Sequence, residues 1–274
     1  MHVTFWGVRG SIACPGERYA RIGGNTSCVE VEAGGRTVVL DAGTGLRELG
    51  VSLMKRCVQR SHLLLSHTHW DHTCGLPFFR PAFDTDHALQ IVAGHVTNRE
   101  GGIRAVLASQ MSSPNFPISL EALGASLTFR DVAAGAAFEL AEGLAVRTER
   151  LAHPDGATGY RIEHGGVSLA YITDTEHEPG RPDARVLSLM ADADLVIYDS
   201  TYTDAEFEEH RGWGHSTWQE GVRLCRLAGA RRLAIFHHDP DHDDTFMRSV
   251  EAEAQLVGAS AFVAREGLRV ALSR

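Results

Sequence analysis

The stretch Ser66–His72, which reads SHTHWDH, decides the fold of this chain. It follows the apolar run His62–Leu65, which is typical of a buried strand. Three imidazoles and a carboxylate therefore crowd together at a strand end, where burying ionisable groups without partners would cost several kcal/mol. A metal ion is a suitable partner, because imidazole nitrogen and carboxylate oxygen are ligands of zinc and of similar first-row ions.

The spacing of the four side chains divides them into two pairs. His67 and His69 lie on the same side of an extended segment, because side chains alternate along a strand. Asp71 and His72 lie beyond the strand end, where they can face a second ion. The stretch therefore predicts a metal site, and a polar turn in which histidines occur by chance is the alternative.

At these residues the chain resembles the metallo-β-lactamase superfamily, whose signature is the same His-x-His-x-Asp-His turn. The resemblance implies an α/β fold, a four-layer αββα sandwich in which two mixed β-sheets pack face to face with helices outside. It also implies a metal site at one edge of the sandwich, with two ions. Asp41, after the strand Thr37–Leu40, resembles the first motif of the family, where an aspartate orients the metal-binding turn by hydrogen bonds. Many chemistries share this fold, so the resemblance does not fix the substrate.

Further ligands are expected at other strand ends, because the opening turn alone cannot satisfy two ions. His153, Asp174 and His237 each follow an apolar strand pattern, and their order resembles the later motifs of the superfamily. His238 competes with His237, which we prefer because it lies where the strand ends. We expect the side chain of His238 to contact the metal-binding residues without binding an ion itself.

By the same resemblance, the ligands divide between two divalent ions that share one carboxylate. Zn²⁺ is the expected metal, with Mn²⁺ or Fe as alternatives. The first ion takes His67, His69 and His153, the second takes Asp71, His72 and His237, and Asp174 bridges both.

His215 lies in a Gly-His-Ser-Thr stretch that leads into a predicted helix. Thr217 and Glu220 fit a Thr-x-x-Glu capping box, and Leu224 and Leu227 follow on one helical face. A helix N-terminus favours anions, so His215 is placed to hold a phosphate oxygen or to protonate a leaving group. The alternative is a surface histidine beside a helix cap.

Together with Tyr198–Thr201, this element resembles the phosphodiesterase branch of the superfamily, which includes tRNase Z and the phosphoribosyl cyclic phosphodiesterases. The resemblance implies a binuclear metal-dependent phosphodiesterase, a hydrolase in which a metal-activated hydroxide attacks phosphorus. In this mechanism Asp71 orients the nucleophile or takes its proton, and His215 is the general acid.

The net charge of the chain and the short segment between His153 and Asp174 both favour a small substrate. The net charge of −9, from 35 acidic and 26 basic residues, argues against an extended nucleic-acid-binding surface. Only about twenty residues separate His153 from Asp174, so the exosite arm that some tRNase Z enzymes insert there does not fit. We therefore expect a small cyclic phosphodiester such as a cyclic nucleotide. The alternatives are a tRNase Z-like RNA-processing nuclease, a carbon-ester or lactone hydrolase, and a metal-binding module without enzymatic activity.

The chain is predicted to form one domain over residues 1–274, because no linker-like segment divides it. Two glycine-turn hairpins each return to an Asp-bearing strand end, which suggests two related halves. The segment around residues 95–120 is expected to be a lid or insert over the site. The chain has no long apolar run and no signal-peptide pattern, and its five scattered cysteines fit a reducing cytoplasm. We expect no membrane partner and consider a homodimer.

Overall fold

The computed structural model describes residues 1–257 and 260–273. Its first β-sheet has seven strands of mixed direction. In chain order these are β1 (His2–Gly7), β2 (Cys28–Ala33), β3 (Arg36–Leu40), β4 (Arg60–Leu65), β5 (Ala88–Ala93), β6 (Ser126–Asp131) and β14 (Arg269–Ala271). Across the sheet they follow the order β14-β1-β2-β3-β4-β5-β6, in which β3 to β6 are parallel neighbours.

The second sheet also has seven strands. In chain order these are β7 (Ala137–Ala141), β8 (Leu144–Leu151), β9 (Ala157–His164), β10 (Val167–Ile172), β11 (Leu195–Asp199), β12 (Leu233–Phe236) and β13 (Ala261–Val263). They follow the order β13-β12-β11-β10-β9-β8-β7, in which β10 to β13 are parallel neighbours. In each sheet a hairpin, β2–β3 or β9–β10, therefore leads into parallel strands, which fits the suggestion of two related halves.

The helices lie outside the two sheets. They are α1 (Leu46–Lys55), α2 (Trp70–Thr73), α3 (Gly102–Gln110), α4 (Ala184–Met190), α5 (Asp204–Phe207), α6 (Trp218–Ala228) and α7 (Asp244–Leu256). Leu49 and Leu53 of α1 are buried in the same apolar cluster as Leu63 of β4, and α4, α6 and α7 contact the second sheet. The expected four-layer αββα sandwich with mixed sheets is confirmed. No helix in the described part of the chain has the length and apolar character that a membrane crossing would need.

The two sheets share one apolar core. Phe5 of β1 packs against Phe236 of β12 with ring centroids 6.1 Å apart, and Phe236 packs against Tyr171 of β10 at 5.8 Å. All three side chains are buried. Because residues of both halves meet in this core, the packing of each half depends on the other. The assignment of a single domain to residues 1–274 stays a prediction.

The parallel strands bring their carboxyl ends to one edge of the sandwich. Strand β4 ends just before the turn Ser66–His72, β10 ends two residues before Asp174, and β12 ends just before His237. This edge is where open α/β sheets generally bind ligands. Asp174 and His237 have φ angles of 55° and 63°, a left-handed conformation that costs of order 1–3 kcal/mol for a residue other than glycine.

The segment 95–120 consists of α3 and irregular chain on either side of it. Ile103 and Leu107 of α3 are buried in the cluster on the outer face of the first sheet, which anchors the helix. Beyond α3, Phe116 meets Phe78 edge to face, with ring centroids 5.8 Å apart. The role of this segment as a lid stays a prediction.

Replacing Phe5 by Ala should lower the free energy of unfolding by about 3–5 kcal/mol, because it leaves a cavity between the sheets. The midpoint and slope of urea denaturation measure this change. The control is Leu256→Ala, which truncates a side chain that is 85% exposed and should change the free energy by less than about 0.5 kcal/mol. Equal losses in the two variants would contradict the proposed core.

Candidate metal centre

The structure brings all seven predicted metal ligands together at the carboxyl edge of the strands. Their donor atoms form overlapping groups whose members lie within 4.8 Å of one another. One group contains His67, His69 and His153, and another contains Asp71, His72 and His237. These are the same two sets that the resemblance implied, although their role as ligands stays a prediction.

Asp174 is buried between the two groups. Its Oδ1 lies 3.8 Å from Nε2 of both His67 and His153. Its Oδ2 lies 3.2 Å from Nε2 of His72 and 3.3 Å from Nε2 of His237. Each carboxylate oxygen therefore faces one group, which is the arrangement that a bridging ligand needs.

The separations between nitrogen atoms also fit a metal. Two ligands that bind one ion tetrahedrally at about 2.1 Å lie roughly 3.4 Å apart. Nε2 of His153 is 3.2 Å from Nδ1 of His69, and Nε2 of His72 is 3.3 Å from Nε2 of His237. Nε2 of His67 is buried without a hydrogen-bond partner, and a metal ion would supply one. The donor set of imidazoles and carboxylates fits Zn²⁺, Mn²⁺ or Fe.

Asp41 fixes the histidine turn through its buried carboxylate. It accepts hydrogen bonds from the amide and the hydroxyl of Ser66, both at 2.7 Å, and from the hydroxyl of Tyr171 at 2.7 Å. Nδ1 of His72 donates to it at 2.8 Å, which turns Nε2 of that ring toward the cluster. Nδ1 of His67 donates to the Ser66 hydroxyl at 3.0 Å with the same effect. Asp41 thus orients the turn, as the resemblance implied.

Two further imidazoles are oriented in the same way from the second sheet. Nδ1 of His153 donates to the carbonyl of Gly214 at 2.8 Å. Nδ1 of His237 lies 3.0 Å from the hydroxyl of Thr201. In both rings the hydrogen bond places the proton on Nδ1 and leaves Nε2 to bind an ion.

Burial and charge act against each other in this cluster. Burial lowers the pKa of His67, and neighbouring His72 lowers it further, so the imidazole stays neutral, as a metal ligand must be. Burial opposes ionisation of Asp174, but His237 and His72 outweigh it and hold the pKa of this carboxyl well below its usual range. Burial also opposes protonation of His72, but Asp71 and Asp174 outweigh it and raise the pKa of His72 well above its usual range, so an ion would bind this imidazole by displacing its proton. The same opposition holds the pKa of Asp71 low, chiefly through His72. The carboxylates therefore remain charged and able to bind cations.

His215 lies beside the cluster and is paired with Asp199. Its Nδ1 donates to Asp199 Oδ2 at 3.0 Å, and its ring stacks on His237 with centroids 5.0 Å apart. Burial opposes the charged form of His215, but Asp199 and then Asp174 outweigh it and raise its pKa to about 9. The sequence placed His215 before a helix, and α6 does begin at Trp218.

The cap of α6 differs in detail from the prediction. The hydroxyl of Thr217 accepts a hydrogen bond from the amide of Glu220 at 3.1 Å. The Glu220 carboxylate accepts a hydrogen bond from Arg223 at 2.6 Å instead of one from the Thr217 amide, so only half of the capping box forms. Leu224 is buried, whereas Leu227 is 64% exposed. The expectation of a full capping box was wrong, because the guanidinium of Arg223 binds the Glu220 carboxylate instead.

Glu176 holds the loop that carries His215, a role that the sequence did not reveal. Its carboxylate accepts hydrogen bonds from the amides of Gly212, at 2.8 Å, and Gly214, at 2.9 Å. Gly214 has a φ of 84°, and a Cβ there would lie 2.3 Å from Nδ1 of His153. Only glycine therefore fits between the loop and the proposed ligand.

The loop after β1 also contributes to the site. The amide of Ser11 donates to Asp71 Oδ2 at 2.9 Å. A Cβ at Gly10 would lie 2.4 Å from the ring of His237. Arg9 is fully buried and donates to the carbonyls of Gly23, at 2.8 Å, and of Asp239, at 3.1 Å. The signal for this loop in the sequence was Arg9, a charged residue next to Gly10 just after a strand.

His238 does not support the ligands with its side chain, so that expectation was wrong. Its Nε2 donates to the carbonyl of Ala264 at 2.8 Å. Its backbone instead anchors the loop after β1, since its amide donates to Val8 and its carbonyl accepts from Gly10, both at 3.0 Å. His237, the preferred residue, is the one that enters the cluster.

Comparison with known proteins agrees with this geometry. The family model described as Beta-lactamase superfamily domain matches residues 36–238. Ribonuclease Z of Haloarcula marismortui is 23% identical over 285 residues, which cover 86% of this chain and 86% of that protein. Ribonuclease Z of Halobacterium salinarum is 27% identical over 310 residues, which cover 98% of this chain and 96% of that protein.

Solved structures share the fold across the chain. The short form of human tRNase Z is similar with a TM-score of 0.71 at 19% identity, over 100% of both chains. A diphosphatase of the PhnP family is similar with a TM-score of 0.72 at 18% identity, over 99% of this chain and 98% of that one. At these identities the likeness confirms the fold.

Purified without chelators, the protein should carry close to two divalent ions per chain. His67→Ala and Asp174→Ala should each lower this content, because His67 belongs to one group and Asp174 faces both. Elemental analysis of the purified variants measures the change. The control is His164→Ala, which removes an imidazole from the β9–β10 hairpin outside these groups and should leave the content unchanged. Wild-type protein with far less than one ion per chain would contradict the proposed centre.

Proposed function

The chain belongs to the metallo-β-lactamase superfamily and is a metal-dependent hydrolase, and from this premise we propose that it is a binuclear phosphodiesterase that cleaves RNA. The observation that supports this proposal most directly is the position of Asp174. Its two oxygens face two groups of donors, and the pair of His215 and Asp199 lies beside them. The full-length relatives named ribonuclease Z support RNA as the substrate. We therefore prefer the RNA-processing alternative to the cyclic nucleotide that the sequence first favoured.

In this proposal the two groups of donors would each hold one divalent ion, and Asp174, which faces both groups, would contribute to both. Zn²⁺ is the first choice, and Mn²⁺ or Fe fits the same donors. When bound, the ions supply Lewis acidity toward the phosphate oxygens and toward water. The reaction is placed in the cytoplasm, in keeping with the five free cysteines.

The carboxylate of Asp71 orients the attacking water or takes its proton. The Ser11 amide and the proposed ligands His72 and His237 surround its Oδ2, at 2.9, 3.1 and 3.4 Å respectively. These contacts fix the direction of the carboxylate, so it meets the water in one geometry. Such positioning lowers the barrier by restricting motion before the reaction.

His215 gives a proton to the leaving oxygen. Asp199 accepts from Nδ1, so Nε2 is the nitrogen that is left to donate. The amides of Thr175 and Thr201 each donate to Asp199 at 3.1 Å, which fixes the carboxylate in turn. The leaving ribose oxygen of RNA needs this proton, because an alkoxide is a poor leaving group.

A small phosphodiester is the second candidate, and the β9–β10 hairpin favours it. His164 pairs directly with Val167 across the tight turn Gly165–Gly166, so the chain between His153 and Asp174 forms no arm. The net charge of −9 also disfavours a wide contact with nucleic acid. Lactone or β-lactam hydrolysis would use the same centre without needing His215.

The metal-loaded protein should cleave 3′-extended pre-tRNA and hydrolyse bis-p-nitrophenyl phosphate, whereas lactones and β-lactams should react poorly. Initial rates on these substrates, together with 2′,3′- and 3′,5′-cyclic nucleotides, measure the preference. If cyclic nucleotides were hydrolysed while pre-tRNA was left uncleaved, the small phosphodiester would be the better candidate substrate. Fast lactone hydrolysis without diesterase activity would contradict the phosphodiesterase proposal altogether.

His215→Ala should retain the metal content and lower kcat on RNA by roughly 10²–10⁴-fold, the usual contribution of a proton-transfer group. The loss should be much smaller on bis-p-nitrophenyl phosphate, because p-nitrophenolate leaves without a proton. Single-turnover rates on both substrates test this difference, with His164→Ala as the control. Equal losses on the two substrates would show that His215 does not protonate the leaving group, and loss of metal would make it a ligand.

A further inference from the structure

A groove of about 520 Å³ lies beside the metal centre, next to the histidine turn. Three aromatic side chains line it, Trp70, Phe78 and Phe116, and Gln110 and Asn115 add amide groups to its wall. None of the residues that line it is charged, although the chain as a whole carries a net charge of −9. We refer to it as the aromatic groove.

The aromatic side chains of the groove are unusually open to water. Trp70 is 80% exposed and Phe78 is 56% exposed. Single exposed apolar side chains are common, but aromatic side chains gathered along one concave surface indicate a binding site. A flat ring bound in the groove would cover aromatic surface that now contacts water.

The position of Trp70 ties the groove to the metal centre. It lies between His69 and Asp71, which belong to the two groups of proposed ligands, and it is the first residue of α2. Its backbone is therefore held on both sides by residues of the centre. The groove therefore adjoins the histidine turn that carries four of the proposed ligands.

The opposite wall of the groove is held in place by the end of α3. Nε2 of Gln110 donates to the carbonyl of Thr68 at 3.2 Å, which joins the helix to the histidine turn. Phe116 meets Phe78 edge to face at an interplanar angle of 86°. The groove is thus formed before anything binds, and little ordering of side chains opposes binding.

We propose that the aromatic groove binds the nucleobase of the nucleotide next to the scissile phosphate, by stacking on Trp70. This inference rests on the proposed function, because RNA carries a base on the nucleotide at each side of every phosphate. Stacking accepts any base, since every base has a π-face, and uncharged walls do not repel the neighbouring phosphates. Gln110 and Asn115 offer amides that can hydrogen-bond to the edge of the base.

The test combines Trp70→Ala with abasic substrates in a double-mutant cycle. Short RNA substrates carry one abasic residue at each position in turn around the cleaved bond. For the wild type, kcat/KM should fall roughly 10- to 100-fold at one position, the range expected for a lost base–aromatic stack. Trp70→Ala should show the same fall on intact RNA and no further fall on the abasic RNA. Trp70→Phe should keep most of the wild-type value.

Binding is measured separately with an RNA in which a methylene group replaces the leaving oxygen at the cleaved bond, a phosphonate linkage that cannot be hydrolysed there, with and without the abasic residue. Its Kd should follow the same cycle as kcat/KM, and elemental analysis of Trp70→Ala checks that the proposed centre still carries its ions. The matched control is Phe83→Ala, which removes an aromatic side chain that is 41% exposed and does not line the groove.

Different failures have different signatures. A wild type that is inert on RNA would overturn the proposed function, and this subsite with it. A wild type that cleaves RNA while Trp70→Ala keeps full sensitivity to the abasic residue would overturn the subsite alone. Conversion of a dimer to a monomer by Trp70→Ala, with unchanged discrimination against abasic RNA, would assign the groove to a second copy of the chain and overturn the proposal.

Discussion

The buried carboxylate of Asp174 is the interaction on which the rest of the structure depends. Its two oxygens face two groups of imidazoles at the edge where both sheets end, so the sandwich must hold its two halves in fixed register to keep them there. Like-charged or unpaired groups at this depth would be costly, and the cluster is stable because carboxylates and imidazoles compensate one another. The ligand geometry and the shared core between the sheets thus require each other.

The sequence predicted those parts of the site that depend on side-chain chemistry at strand ends. An apolar strand followed by His153, Asp174 or His237 is legible because a polar ligand there needs a partner. The contributions of Ser11 and Glu176 could not be predicted, since one acts through a backbone amide and the other binds backbone amides of a distant loop. Such contacts depend on tertiary approach and leave no local pattern.

The outline of the fold was predictable for the same reason. Buried strands such as β4, β10 and β12 contain apolar runs, and the predicted run His62–Leu65 lies within β4. The edge strands β7, β13 and β14 were not predicted, because they are short and partly exposed, and pairing with a neighbour decides their conformation. Helix α7 was also missed. The surface around the centre, including the aromatic groove beside Trp70, emerged only from the assembled structure.

The most direct measurement of the central claim is electron paramagnetic resonance of the protein loaded with Mn²⁺. Two Mn²⁺ ions that share the Asp174 carboxylate should be exchange-coupled, and their spectrum should differ from that of isolated Mn²⁺. The coupling should disappear in Asp174→Ala reloaded with Mn²⁺. A wild-type protein that binds two Mn²⁺ ions per chain but shows only the spectrum of isolated ions would contradict the shared centre.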